Sequence, residues 1–166
     1  MRTLTLRGYL AVAVIGLLVA LGWLAAGTVK AQEAVVQHAT GTFEVSVTPA
    51  DPEVREAGLG LARYTLAKTF SGGMTGSGRG QMLAGGPSEQ VGTYVALERF
   101  VGTLDGKEGA FLLAHRGDMS PEGFTLSITV VPNSGTGELV GISGDFALTL
   151  EGGGHRYDLS YTLLNP

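Results

Sequence analysis

Three ionisable side chains stand inside otherwise apolar runs. Glu98 lies in Val95-Ala96-Leu97-Glu98-Arg99-Phe100-Val101, His115 ends Phe111-Leu112-Leu113-Ala114-His115, and Lys68 falls between Leu66 and Phe70 on one face of an extended segment. A charge buried without a partner is costly, so such residues point outward, pair with one another, or form a polar site in a pocket. A carboxylate or an imidazole facing a pocket can move a proton, which makes Glu98 and His115 the candidate catalytic residues. Tyr94, Tyr157 and Tyr161 each offer an apolar ring with one hydroxyl, and either line the same cavity or serve as ordinary core aromatics. The candidate ligand-binding set is Lys68, Tyr94, Glu98, His115, Tyr157 and Tyr161.

Other chemistries are poorly supplied. The chain has no cysteine, which excludes disulfides and thiolate metal centres. His38, His115 and His155 have no i, i+2 or i, i+4 spacing, and no metal or cofactor is expected. A Ser/His/Asp triad lacks a nucleophile-elbow signature. Gly76-Ser77-Gly78-Arg79-Gly80 superficially resembles a phosphate-cradling loop, but Gln81-Met82-Leu83 and another glycine pair follow it where a helix would be needed. It reads instead as a flexible strand or hairpin, and Gly135-Thr136-Gly137-Glu138-Leu139 fails the phosphate test in the same way. Acids outnumber bases fifteen to eleven, which argues against nucleic acid as a partner.

The elements that must hold these residues follow a period of two. Phe43, Val45 and Val47 alternate with polar neighbours, as do Phe124, Leu126, Ile128 and Val130, then Phe146, Leu148 and Leu150, then Tyr157, Leu159, Tyr161 and Leu163. Such alternation places one face on a core and the other in water. Stretches 94–104 and 110–116 are apolar on both faces, so a partner subunit is one way to cover their outer surface. Asp105-Gly106 between them is the strongest hairpin signal. The one stretch with helical potential, 53–61, is weakened by Gly58 and Gly60. Counting 74–83, and joining 138–140 to 144–150, the chain reads as eight antiparallel strands, which close most simply into a barrel without exposed edges. A barrel of that size holds side chains or one small ligand.

Residues 1–31 differ. Arg2 and Arg7 precede an uncharged apolar run over 10–26, and Val29-Lys30-Ala31 fits a signal-peptidase site. The expectation is a signal peptide, with a membrane anchor through 10–26 as the alternative, because the run approaches bilayer-spanning length. Without Arg2, Arg7 and Lys30, eight of the eleven bases remain against all fifteen acids. That suits an exported, periplasmic or secreted domain comprising 32–166.

Several blocks are familiar together. Ala39-Thr40-Gly41-Thr42-Phe43-Glu44-Val45, Thr93-Tyr94-Val95-Ala96-Leu97-Glu98-Arg99, Gly102-Thr103-Leu104-Asp105-Gly106-Lys107-Glu108-Gly109-Ala110-Phe111, Ala114-His115-Arg116-Gly117 and Val130-Val131-Pro132-Asn133-Ser134-Gly135-Thr136-Gly137-Glu138-Leu139 resemble, in order, the uncharacterised bacterial family known as domain of unknown function 3224. His155, Tyr157 and Tyr161 are similar to its closing strand. The resemblance implies an all-β barrel like that of allene oxide cyclase and the plant dirigent proteins, whose members bind hydrophobic small molecules and guide ring closure by shape. Many members lack an export segment, and the family tends to carry acidic residues at the hairpin that here reads Gly72-Gly73-Met74-Thr75-Gly76. The reading is an exported eight-stranded barrel binding a small apolar ligand in its lumen. The alternatives are an isomerase or cyclase using Glu98 or His115, and a homo-oligomerising module built on 94–104 and 110–116.

Overall fold

The computed structural model describes residues 35–50, 60–88 and 90–164. The export segment expected over 1–31, with its anchor alternative at 10–26, lies outside them, as do residues 51–59. Gly60 and Leu61, the end of the stretch with helical potential, belong to a strand. There is no helix among the described residues.

The chain forms β1 (Gln37–Pro49), β2 (Gly60–Gly72), β3 (Met74–Ser88), β4 (Val91–Leu104), β5 (Lys107–Ser120), β6 (Gly123–Val130), the two-residue β7 (Thr136–Gly137), β8 (Ile142–Glu151) and β9 (Gly154–Leu163). Eight of them close an antiparallel barrel in the order β1-β2-β3-β4-β5-β6-β8-β9, with β9 returning to β1 and β4 pairing β5. The short β7 continues the edge of β5 beyond the point where β6 stops, through Gly109↔Gly137 and Ala110↔Thr136. Asp105 and Gly106 take positive φ values of 47° and 82°, as a two-residue hairpin between right-twisted strands requires.

One expected element differs. Residues 138–140 do not extend β8: they form a turn, and Leu139 is fully buried. A Cβ placed on Gly109 would lie 3.0 Å from the Leu139 Cγ, so this leucine fills the space that a bare position on β5 leaves. Burying an apolar side chain there is worth about 1.5–3 kcal/mol, more than one added rung of a peripheral strand.

Alternation sorts the side chains as expected, but the lumen is uneven along its axis. At one end Met74, Leu104, Phe111, Leu139, Leu159 and Tyr161 are all at most 1% exposed. Phe100 packs tilted on Phe111 at 5.1 Å and edge-on to Phe70 at 5.5 Å, and each such pair adds about 0.5–1.5 kcal/mol beyond its area. Toward the other end the inward positions lose cover: Tyr64, Met82, Tyr94, Met119 and Leu148 are half-buried, and Phe124 and Leu150 at the rim are 53% and 70% exposed. Among the described residues the barrel is therefore plugged at one end and less covered at the other. β6 and β8 are joined by one register pair, Thr129↔Asp145, at the plugged side, and they carry no ladder from there to the rim.

On the outside, β4 leaves Val95, Leu97 and Val101 exposed by 49%, 57% and 42%, with the equally open Leu83 of β3 paired to Val95. Across from them on β5, Ala110 is buried and Leu112 and Ala114 are half-buried.

Candidate functional site

Lys68, Glu98 and His115 come together in the lumen from β2, β4 and β5. Register explains the meeting. Lys68 stands opposite Gly78 on β3, Glu98 stands opposite Gly80 on the other side of β3, and His115 stands opposite Ala96, one inward position nearer the mouth than Glu98. Two strands flanking a third can join side chains only if the third presents little bulk. β3 presents glycine at both positions, and a Cβ built on Gly78 would overlap Glu98 Oε1.

The Lys68 ammonium donates to Glu98 Oε2 at 2.7 Å. It also lies 4.6 Å above the Phe43 ring and 5.7 and 5.8 Å from those of Phe70 and Phe146, an aromatic surround that favours a cation by about 0.5–2 kcal/mol. His115 Nε2 approaches the same Oε2 at 3.1 Å, but its N–H is not well aligned on that oxygen, and neither it nor Glu98 Oε1 has a properly directed hydrogen-bond partner. Glu98 is fully buried, while Lys68 and His115 retain 7% exposure each. Burial pushes the Glu98 carboxyl upward, but the His115 contact and the Lys68 charge and hydrogen bond together outweigh it, and the group is held below the ordinary glutamate range. Glu98 is thus a carboxylate, neutralised by Lys68, with one oxygen left short of donors at a cost of about 1–3 kcal/mol.

Tyr94 belongs to the same inner face, nearer the mouth. Its ring covers the bare Gly117 of β5 and stacks on Phe124 at 6.4 Å and 19°. Its hydroxyl has no hydrogen bond among the described residues, and burial raises its pKa.

Tyr157 and Tyr161 are deployed at the plugged end. Met74 N–H donates to the Tyr157 hydroxyl at 2.7 Å, which itself reaches the Ser71 and Met74 carbonyls at 3.3 Å. Tyr161 donates to Asp105 Oδ2 at 2.8 Å. Both hydroxyl pKa values are raised, in each case by burial first and with Asp105 adding to it. These two rings fasten β9 to the β2–β3 and β4–β5 hairpins. The other histidines are apart: His38 pairs with Asp158 on the surface at 2.9 Å, and His155 stacks on Phe43 at 4.9 Å. Among the described residues no three His, Asp or Glu side chains are grouped as metal ligands would be.

Sequence reasoning singled out the three ionisable residues and missed what lets them meet. Gly76, Gly78 and Gly80 recur at the strand period, and that spacing is the signal of a strand with one bare face. The Phe43–Phe70–Phe146 surround and the Asp105 partner of Tyr161 depend on pairings distant in sequence, and no local signal marks them.

Among the described residues, a closed antiparallel β-barrel with a buried lysine–glutamate–histidine cluster beneath a less covered, apolar end defines the class. A family profile described as protein of unknown function (DUF3224) matches residues 39–161, and the chain belongs to that family. It is similar to the crystal structure of a DUF3224-family protein of unknown function from Shewanella oneidensis MR-1, with 36% identity and a TM-score of 0.73, covering 80% of this chain and 100% of that one. No curated protein matches the chain.

Proposed function

We propose that the protein binds a small, largely apolar molecule in the open half of the barrel, with the polar end of that molecule on the Lys68–Glu98–His115 cluster and Tyr94 along its path. One observation carries this reading. Ionisable groups that a purely structural core would avoid are buried together just below the level at which the inner wall loses its cover, and two of their polar atoms lack directed partners. An architecture of the allene oxide cyclase type, as the family resemblance implies, agrees with a lumen of this kind. Export belongs to the same proposal and rests on the basic start and apolar run of residues 1–31.

The test is titration of the full chain with the neutral fluorescent probe N-phenyl-1-naphthylamine. The expected result is saturable enhancement together with a rise in melting temperature, both abolished by Leu126→Trp, which fills the mouth from β6. Absence of saturable binding, or binding that Leu126→Trp leaves intact, overturns the proposal.

A second reading rests on a separate observation, the outer face of β4, where Val95, Leu97 and Val101 stand in the open. We propose a second copy of the chain as their cover, because the packing of like apolar faces is the usual basis of a homodimer, although Arg99 and its cross-strand neighbour Arg79 interrupt the stripe. Sedimentation is expected to show an oligomer at micromolar concentration that Leu97→Glu dissociates. A monomer there removes this reading and leaves the lumen proposal untouched.

A further inference from the structure

We propose that the cluster is an acid–base site for proton abstraction next to a carbonyl, with His115 as the base and Tyr94 as the donor to the oxygen. The inference rests on the lumen-binding reading and names the substrate class that it would take: an apolar carbonyl compound bearing an acidic C–H.

The assignment follows from which atoms are committed and which are free. An ionised carboxylate only accepts hydrogen bonds. His115 Nε2 lies 3.1 Å from Glu98 Oε2, off the line of a directed hydrogen bond but close to the carboxylate's charge, which favours the proton on that nitrogen and leaves the lone pair to Nδ1. Among the described residues His115 Nδ1 has no hydrogen bond, and Nε2 has none that is properly directed. Glu98 approaches the ring from the plugged side, because Glu98 is paired with Leu113 and His115 with Ala96. Tyr94 is paired with Gly117, which makes it the diagonal neighbour of His115 on the mouth side, at a backbone separation of about 7–8 Å. A base and a hydroxyl donor thus occupy neighbouring inward positions on β4 and β5, with Tyr94 on the mouth side of His115. Lys68 keeps Glu98 ionised through their 2.7 Å contact, and Glu98 fixes the imidazole tautomer, so both are positioning residues.

The step balances without an oxidant or reductant. The Nδ1 lone pair takes the proton, the C–H electron pair becomes the enolate double bond, and the carbonyl π pair moves to the oxygen, which accepts a hydrogen bond from Tyr94. Glu98 offsets the charge of the resulting imidazolium. Return of the proton to the same carbon or to a conjugated one restores neutral His115 and completes an exchange or an isomerisation.

The probe is 2-tetralone, with loss of its α-proton signals in D2O followed by NMR on the full chain and binding read from the same titration. The wild-type protein is expected to exchange these protons at least about 100-fold faster than buffer. His115→Gln should return the rate at saturating probe to that of buffer while saturable binding persists, and Glu98→Gln should lower the maximal rate by about 10-fold or more. Because Glu98→Gln also disturbs a buried ion pair, the 15N shifts of the wild-type His115 imidazole provide a measurement free of substitution. They are expected to show the Nε2–H tautomer, and an Nδ1–H tautomer overturns the assignment. Binding of the probe with exchange at the buffer rate overturns the catalytic inference and leaves the lumen reading standing, whereas a probe that does not bind overturns both.

Discussion

Replacing Glu98 with alanine is expected to lower stability by about 3–5 kcal/mol, the range for removing one partner of a buried ion pair. The loss is large because the truncation leaves the Lys68 ammonium, 7% exposed, facing three phenylalanine rings and no carboxylate. The melting temperature should fall by on the order of 10–20 °C in a domain of this size. Lys68→Met combined with Glu98→Leu should recover stability to within about 1–2 kcal/mol of the parent, because the desolvation cost disappears along with the attraction. Urea unfolding of the parent, Lys68→Met, Glu98→Leu and the double variant closes the cycle. A Glu98→Ala cost below about 1 kcal/mol would mean that the pair is not dry. The same group sets part of the acid limit. Its carboxyl is held below the ordinary range, so the stabilisation is complete above about pH 4.3, the value for an unfolded glutamate, and is lost as pH falls through the folded value. The double variant should lack that component of acid unfolding.

Gly78→Ala is expected to cost about 1–3 kcal/mol by overpacking, although a glycine-to-alanine change on a strand is ordinarily neutral or favourable. The new methyl would occupy the place of Glu98 Oε1 and lie 3.1 Å from the Phe70 ring, so the carboxylate must swing away from Lys68 and His115. Most of the cost therefore resides in the carboxylate rather than in the backbone. In a Glu98→Ala background the same change should be nearly free, a coupling of at least about 1 kcal/mol. Gly85→Ala on the same strand is the control, since its nearest neighbour is the flexible end of Leu61 at 3.2 Å. Equal costs in both backgrounds would place the strain elsewhere.

The strand content and closure of this fold are legible because they depend on local alternation and on turn chemistry. Phe43, Phe70 and Phe146 point inward as their spacing predicts, and Asp105-Gly106 turns as its dipeptide predicts. Lys68, Glu98 and His115 are conspicuous in sequence for the physical reason that makes them matter, namely charge within apolar runs. Their partnership is not legible, because it depends on β3 being bare at 78 and 80, an absence of side chains rather than a presence. Tyr94, Tyr157 and Tyr161 look alike in sequence and differ in role, because the partners that occupy two of the hydroxyls, Met74 N–H and Asp105, come from hairpins 83 and 56 residues away. Leu139 is misassigned for a similar reason: glycine at 109 makes room for it, and only the folded chain brings the two together.

The single register pair between β6 and β8 bears on the kind of guest that the proposed lumen site would select. A cylinder laced along its whole length has a fixed girth, and rejects by size whatever exceeds it. Here one stave can lean away from the next at little cost, because few bonds need to stretch. For the ligand proposed here, discrimination by calibre is accordingly expected to be weak, with selectivity falling to the polar floor and the functional group presented to it.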